Sequence, residues 1–176
     1  MNYLLHISCF RLRQLSIEYF HINNLRPIQV AIMRHILNRR ETAYSLPTGH
    51  GKTVCFLEPF LLMRPYHLVI IVSPLLALIW DMSVKFKNII CFINLADFPT
   101  DDVFLENLQE KLAKSPVFVI CTPERLWGNG PSLLKRNDII QSPVGMVFDE
   151  AHTIVSWGFT FRDAGIRLGP DSVKGS

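Results

Sequence analysis

Short apolar segments alternate with longer amphipathic ones along most of this chain. The apolar segments predict strands at Thr42–Leu46, Leu68–Ser73, Ile89–Ile93, Val117–Cys121 and Gly145–Phe148. The segments between them predict helices at Lys52–Met63, Leu75–Lys87, Asp102–Lys114 and Ser132–Ile140. Buried strands separated by helices indicate an α/β fold, a parallel sheet with helices on both faces. Ligands of such sheets bind at the C-terminal edge of the strands.

A helical region precedes this alternation. Residues Asn2–Glu18 are predicted to be helical, Phe20–Asn24 to form a connection, and Arg26–Asn38 to form an amphipathic helix. Inside the first helix of the alternating region, Pro59 is expected to kink or shorten the helix. We therefore expect a lead-in over residues 1–24, one domain over residues 25–164 and a frayed tail over residues 165–176.

Composition indicates a globular protein of one domain. The 176 residues are 49% hydrophobic and 19% charged, which excludes a disordered chain. A net charge of +3 permits a polyanionic partner without requiring one. The four cysteines and six histidines show no metal-ligand spacing, so we expect reduced thiols and no zinc site.

The chain carries no sign of membrane insertion or secretion. Its longest apolar stretch, Leu68–Trp80, is interrupted by Ser73-Pro74 and is shorter than the roughly 20 residues of a spanning helix. Residues 1–9 lack the basic start of a signal peptide. We expect no membrane partner and an intracellular location, the nucleus in a eukaryote and otherwise the cytoplasm.

A glycine-rich run links the first predicted strand to the next helix, and its residues are Thr48, Gly49, His50, Gly51, Lys52 and Thr53. Such a turn points successive backbone N–H groups at phosphate oxygens, and the helix N terminus adds partial positive charge. The lysine of such a loop reaches the β- and γ-phosphates, and the threonine hydroxyl binds Mg²⁺. Leu46 stands where the strict pattern has glycine, but the strand–loop–helix setting supports an ATP site.

An acidic pair, Asp149 and Glu150, ends the last predicted strand, 97 positions after Lys52. A parallel strand delivers such a carboxylate to the edge where ligands bind. Asp149 is therefore the candidate to complete the Mg²⁺ site, and Glu150 the candidate to orient the attacking water. Lys52, Asp149 and Glu150 are the predicted catalytic residues. The alternative is an ordinary turn and an unrelated acidic pair on the surface.

Four further motifs have the order and spacing of a known family. They begin at Phe20, Val72, Thr122 and Trp157, and read Phe-x5-Arg-x2-Gln, Val-Ser-Pro-Leu-Leu-Ala-Leu, Thr-Pro-Glu-Arg-Leu and Trp-Gly-x-x-Phe-Arg. With Asp-Glu-Ala-His at 149–152, the chain resembles the first RecA-like domain of a superfamily 2 helicase of the RecQ type. The resemblance runs from about Phe20 to Arg162.

The resemblance implies roles for several further residues. Gln29 would read the adenine edge of ATP and Arg26 would help to position the base or the loop. Ser73 and Thr122 would donate to the backbone of a nucleic acid. The aromatic loop after the acidic pair would stack on single-stranded DNA and couple it to hydrolysis, through Trp157, Phe159, Phe161 and Arg162.

The chain also departs from the family pattern. His50 and His21 stand where glycine is usual. In the aromatic loop, Phe159 replaces histidine, Thr160 replaces aspartate and Asp163 replaces proline. No departure removes a candidate phosphate or Mg²⁺ ligand, but the loop changes bear on the coupling between ATP and DNA.

Relatives hydrolyse ATP between two RecA-like domains, and the second donates an arginine finger. We find no motif of a second domain in this sequence and expect a fragment that binds ATP and nucleic acid without unwinding. The family implies an ATP-dependent 3′-to-5′ DNA helicase for recombination and repair, acting on single-stranded or partly duplex DNA. The alternatives are a DEAD-box-like RNA helicase and a non-catalytic DNA-binding module.

Overall fold

The computed structural model describes residues 2–47, 49–63, 67–97, 108–127 and 144–150. The helices are α1 (Asn2–Phe20), α2 (Pro27–Leu37), α3 (Lys52–Leu62), α4 (Leu76–Phe86), α5 (Leu108–Lys114) and α6 (Pro123–Trp127). The strands are β1 (Leu68–Val72), β2 (Phe92–Asn94), β3 (Val117–Cys121) and β4 (Val144–Phe148). A short 3₁₀ turn covers Leu95–Asp97.

The described strands form one parallel sheet in the order β2-β3-β1-β4. Both central strands are buried along their whole length. Their sequences, Leu-Val-Ile-Ile-Val and Val-Phe-Val-Ile-Cys, show no polar alternation because helices cover both faces of the sheet. This confirms the predicted α/β class with a parallel sheet.

Alternate residues of β1 face opposite sides of the sheet and enter different apolar clusters. Leu68, Ile70 and Val72 pack with residues of α5 and α6 on one side. Val69 and Ile71 pack with residues of α3 and α4 on the other side. The sheet is therefore the middle layer of the domain, with helices on both faces.

A third apolar cluster joins α1 and α2 to the outer side of α3. Leu12 of α1, Met33 of α2 and Cys55 of α3 are each 0% exposed within it. The predicted lead-in helix, α1, is thus packed against α3, the helix that begins at Lys52 of the glycine-rich run. No helix in the described part of the chain is both long and apolar enough to cross a membrane.

Two predicted strands differ from the structure. The prediction of a strand at Thr42–Leu46 is wrong, because this segment has no ladder partner among the described residues. Its inward side chains, Tyr44 and Leu46, pack with the cluster of α1, α2 and α3. Alternating burial there reflects packing on helices.

The second difference is the position of β2, which was predicted to start at Ile89 and starts at Phe92. The N–H groups of Ile89 and Ile90 both donate to the Phe86 carbonyl at the end of α4, at 2.9 and 3.1 Å. Those donors are therefore used to close the helix, and the strand begins after them. The predicted helix at Ser132–Ile140 lies outside the described residues, as does the 102–107 part of the helix predicted at Asp102–Lys114.

Helix α3 lies close to β4 because β4 has a glycine where the two elements meet. A Cβ atom built on Gly145 would lie 2.6 Å from Cε1 of Phe60, which is far inside van der Waals contact. The aromatic ring of α3 therefore occupies the space that a side chain at position 145 would need. The helix continues through Pro59 and ends at Leu62.

A buried carboxyl group links α3 to α1. The Ser16 hydroxyl donates to Oε2 of Glu58 at 2.6 Å, and both residues are 0% exposed. Oε1 of Glu58 has no hydrogen-bond partner among the described residues. Burial raises the pKa of Glu58 to about 7, against the lowering effect of the Ser16 hydrogen bond.

Glu58→Gln is expected to flatten the pH dependence of stability between pH 5 and 8. Because the folded pKa is raised from 4.5 to about 7, the stability linked to this group is complete below the unfolded pKa and is lost as pH rises through about 7. The loss amounts to about 3 kcal/mol at most. Urea unfolding at several pH values measures it, with Glu124→Gln on the exposed face of α6 as control. An unchanged slope in Glu58→Gln would contradict the assignment.

Candidate functional site

Three neighbouring strands end at the same edge of the sheet. The residues that follow β3, β1 and β4 are Thr122, Ser73 and Asp149. The Ser73 N–H donates to the Cys121 carbonyl and the Asp149 N–H donates to the Val72 carbonyl, both at 3.0 Å. These bonds continue the ladders beyond the strands. The structure therefore aligns one acidic and two hydroxyl side chains from distant parts of the sequence.

The loop before α3 turns sharply through two glycines. Gly49 and Gly51 have φ angles of 77° and 71°, which residues other than glycine rarely adopt. The His50 N–H donates to the Pro47 carbonyl at 3.1 Å and closes the turn. Helix α3 then begins at Lys52. The described part of the loop thus has the glycine turn and helix start that suit a phosphate group.

Lys52 at the start of α3 meets the acidic pair after β4. Its Nζ atom donates to Oε1 of Glu150 at 3.3 Å, and the two side chains are 35% and 25% exposed. Both groups are therefore within reach of a ligand at the surface. Glu150 has a φ of 53°, an unusual left-handed conformation for a residue with a side chain.

Asp149 lies next to this ion pair and, like both of its members, is partly exposed. Burial raises the pKa of its carboxyl group, and the charge of Glu150 raises it further. The Glu150 N–H, which donates to Oδ1 of Asp149 at 3.0 Å, and the charge of Lys52 act in the opposite direction. Two carboxyl groups beside one amine form a site that favours an added cation.

These residues fit a Mg²⁺ ion that arrives with a nucleotide. Mg²⁺ is bound through one or two carboxylates together with phosphate oxygens and water. Asp149 supplies a carboxylate, and Thr53 supplies a hydroxyl in the first turn of α3. In the part of the chain that the structure describes, no three His, Cys, Asp or Glu residues cluster to hold a metal. The ion would therefore depend on phosphate oxygens for the rest of its coordination.

Gln29 holds the loop in place. Its Oε1 accepts from the Arg26 N–H at 2.8 Å, and its Nε2 donates to the His50 carbonyl at 3.0 Å. The side chain is 4% exposed, whereas Arg26 at the start of α2 is exposed. The structure thus places Gln29 directly against the glycine-rich loop. Its predicted contact with adenine, and that of Arg26, remain predictions.

Tyr44 is a site residue that the sequence did not single out. Its hydroxyl donates to the Lys52 carbonyl at 3.1 Å and so fixes the first residue of α3. Burial raises the pKa of this hydroxyl, with smaller contributions from Cys55 and Asp149, so it stays a neutral donor. The sequence signal that could have identified Tyr44 is its position two residues before Leu46, because in an extended segment residues two apart point to the same side.

Ser73 and Thr122 use their hydroxyls locally. Oγ of Ser73 accepts from the Leu75 N–H at 3.5 Å, and Oγ1 of Thr122 accepts from the Arg125 N–H at 3.3 Å. Ser73 is 0% exposed, whereas Thr122 is partly exposed. A nucleic-acid contact by Ser73 requires its turn to open, and both roles remain predictions. The remaining predicted site residues lie outside the described residues: Thr48, Trp157, Phe159, Phe161 and Arg162.

Comparison with known proteins covers the region of this site. Residues 26–166 match the DEAD/DEAH box helicase family. The chain is similar to an ATP-dependent DNA helicase RecQ of Synechocystis sp., with 33% identity over 151 residues, which is 84% of this chain and 30% of the relative.

Two further relatives show the same pattern. A probable ATP-dependent DNA helicase RecS of Bacillus subtilis is 28% identical over 90% of this chain and 31% of its own length. A bifunctional 3′-5′ exonuclease/ATP-dependent helicase WRN of Mus musculus is 32% identical over 86% of this chain and 10% of its own length. The chain therefore spans less than a third of each of these curated relatives.

Gly51→Ala is expected to destabilise the protein more than Gly49→Ala. Both changes place a side chain at positive φ, which costs about 1–2 kcal/mol. A Cβ at Gly51 would also lie 2.7 Å from Nε2 of Gln29, whereas nothing lies within 4 Å of a Cβ at Gly49. Displacing Gln29 from the loop adds roughly 1 kcal/mol.

Urea unfolding of the two variants, alone and combined with Gln29→Ala, measures this difference. The difference in unfolding free energy between Gly51→Ala and Gly49→Ala should vanish in the Gln29→Ala background. The Gln29 amide, which the new methyl group at position 51 displaces, is then absent. A gap that persists in the Gln29→Ala background would show that the loop does not rest on this side chain.

Proposed function

Since the chain belongs to the DEAD/DEAH box helicase family, we propose that it is the ATP-binding lobe of a RecQ-type DNA helicase. The observation that carries this proposal is the contact between the phosphate-loop lysine and the acidic pair, 3.3 Å between Lys52 Nζ and Glu150 Oε1. It brings together the groups that a nucleoside triphosphate and its Mg²⁺ need. The relatives named above as ATP-dependent DNA helicases support the same assignment.

In the proposed site Lys52 changes partner when ATP binds. The β- and γ-phosphates carry more negative charge than one carboxylate, so they compete for the amine that Glu150 holds in this structure. Release of Glu150 frees its carboxylate to orient the water that attacks the γ-phosphate. Asp149 and Thr53 would hold Mg²⁺. The ion, when bound, neutralises charge that develops on the phosphate oxygens.

The proposed base site lies on the other side of the loop, at Gln29 and Arg26. Gln29 already contacts the loop backbone at His50, so a nucleotide whose phosphates fill the loop would have its base near the start of α2. A glutamine amide can donate to N7 and accept from the N6 amine of adenine, and Gln29, which is 4% exposed, would turn away from the Arg26 N–H and the His50 carbonyl to do so. We propose that this pair selects ATP among the nucleoside triphosphates.

The proposed nucleic-acid contacts follow from the same sheet edge. Ser73 follows β1, the neighbour of β4, and Thr122 follows β3, the next strand, in line with Asp149. The Thr122 hydroxyl, and the Ser73 hydroxyl once its turn opens, would donate to the phosphates of a single strand. We propose that Trp157, Phe159, Phe161 and Arg162 stack on the bases of single-stranded or partly duplex DNA. For the whole protein we propose ATP-dependent 3′-to-5′ unwinding in recombination and repair.

Lys52→Ala is expected to weaken binding of a fluorescent ATP analogue at least tenfold in the presence of Mg²⁺, because it removes the cation that meets the phosphates. Glu150→Gln should bind the analogue at least as tightly as the parent chain, because the lysine loses its competing carboxylate. Lys85→Ala, on α4, is the control for loss of a positive charge. Unchanged affinity in Lys52→Ala would overturn the nucleotide site.

Trp157→Ala is expected to weaken binding of a labelled single-stranded DNA by about five- to 160-fold, since one base stack is worth about 1–3 kcal/mol. Fluorescence anisotropy measures this. The matched control is Trp80→Ala, which removes a tryptophan that is 66% exposed on α4. Equal losses in both variants, or tighter binding of an RNA of the same sequence, would contradict a DNA-stacking role.

A further inference from the structure

A cavity of about 610 Å³ opens at the edge of the sheet opposite the phosphate loop. Cys91 and Pro116, which precede β2 and β3, line it together with Leu61 and Leu62 at the end of α3. The remaining wall comes from α1, from the turn after α4, and from the end of α5 with Ser115. Its volume lies within the range of about 300–1,000 Å³ that is typical of small-molecule sites.

Both apolar and charged side chains line this cavity. We call Leu15 and Ile90, which are only partly exposed, its floor, and Arg11, Lys87 and Lys114, which are exposed, its rim. The charged residues that line the cavity are these three cations and one carboxylate, Glu18. The cavity therefore has a net positive rim above an apolar floor.

The existing contacts of the rim cations are weak. Lys114 pairs with Glu110 at 2.6 Å, but both side chains are more than 70% exposed, and such surface pairs contribute little. Arg11 donates to the neutral amide of Gln14 at 3.2 Å, which leaves its charge uncompensated by that bond. An incoming anion can therefore recruit these side chains at small cost.

We propose that this cavity is a second ligand site, which binds a small amphipathic anion with an apolar body and one phosphate or carboxylate head. The body would replace water on the apolar floor, and the head would meet the cations of the rim. A bare phosphate lacks the apolar contact with the floor, and an uncharged chain lacks the charge contact with the rim. The site is therefore selective for molecules that combine both.

The cavity is separate from the nucleotide site, although one helix reaches both. Lys52 is the first residue of α3 and Leu62 is the last. At 1.5 Å per residue, the 11-residue helix spans about 16 Å. A ligand in the cavity would thus contact the far end of α3 and none of the groups proposed to bind ATP.

Cys91 gives a direct measure of occupancy because its partly exposed thiol lines the cavity. Cys55 and Cys121 are buried, at 0% and 2% exposure. In a Cys9→Ser background, alkylation by iodoacetamide should therefore report mainly on Cys91. Protection of this thiol identifies binding in the cavity and not elsewhere on the surface.

Decyl phosphate is the probe, with decanol and inorganic phosphate as its two matched controls. We expect decyl phosphate to protect Cys91 and to bind at least tenfold more tightly than either control by titration calorimetry. Lys87→Gln and Arg11→Gln should each weaken it about two- to fivefold, whereas Lys85→Gln on α4 should not. Leu15→Trp, which fills the cavity, should abolish protection while the circular dichroism spectrum stays that of the parent chain.

Equal protection by decanol would overturn the charge requirement, and equal protection by inorganic phosphate would show a plain cationic patch. Binding without protection of Cys91 would place the ligand elsewhere and would also overturn the proposal. Lys52→Ala should leave decyl phosphate binding unchanged. This variant therefore separates failure of the cavity proposal from failure of the nucleotide site.

Discussion

The parallel register of β3, β1 and β4 is the constraint on which the rest of the site depends. Val72 at the end of β1 is the partner of Cys121 on one side and of Phe148 on the other. Three strands that are remote in sequence therefore stop at one line, and the residues after them share a single edge. Hydrogen bonds from the Ser73 and Asp149 N–H groups to the Cys121 and Val72 carbonyls continue this alignment one residue beyond the strands.

The lysine and the acidic pair reach that edge by different routes. Lys52 arrives on a helix whose start is held by the Tyr44 hydroxyl and by a loop that rests on Gln29. Asp149 and Glu150 arrive directly from β4, and Glu150 takes a left-handed backbone conformation. A non-glycine residue in such a conformation costs of order 1–3 kcal/mol and is typical of functional sites. The surrounding contacts must offset that cost.

The sequence predicted the parts of the fold that depend on local pattern. Continuous apolar runs identified β1 and β3, because strands buried on both faces need no polar residues. An apolar run also identified β4, although its residues Val144 and Met146 are 39% and 38% exposed. The apolar run at Ile89 was misleading, because its N–H groups close α4 and cannot join the ladder. The strand predicted at Thr42–Leu46 was also wrong, because its side chains Tyr44 and Leu46 pack on helices.

Site residues that belong to a short sequence motif could be predicted. Contacts between residues that are remote in the sequence could not. The glycine-rich run and the acidic pair gave Lys52 and Glu150, which the structure brings to 3.3 Å. The bond between Gln29 and the His50 carbonyl and the buried pair of Ser16 and Glu58 connect residues 21 and 42 positions apart. No local pattern encodes such contacts, so only the folded chain reveals them.

The glycine in β4 has a consequence for the geometry of this edge. Phe60 lies where a side chain at position 145 would be, on the same helix that begins with Lys52 and the same strand that leads to Asp149. The distance between α3 and β4 is thus set by the absence of a side chain at Gly145, four residues before Asp149. A bulkier residue there would act as a wedge, tilting the amine away from the acids while every charged group stayed in place.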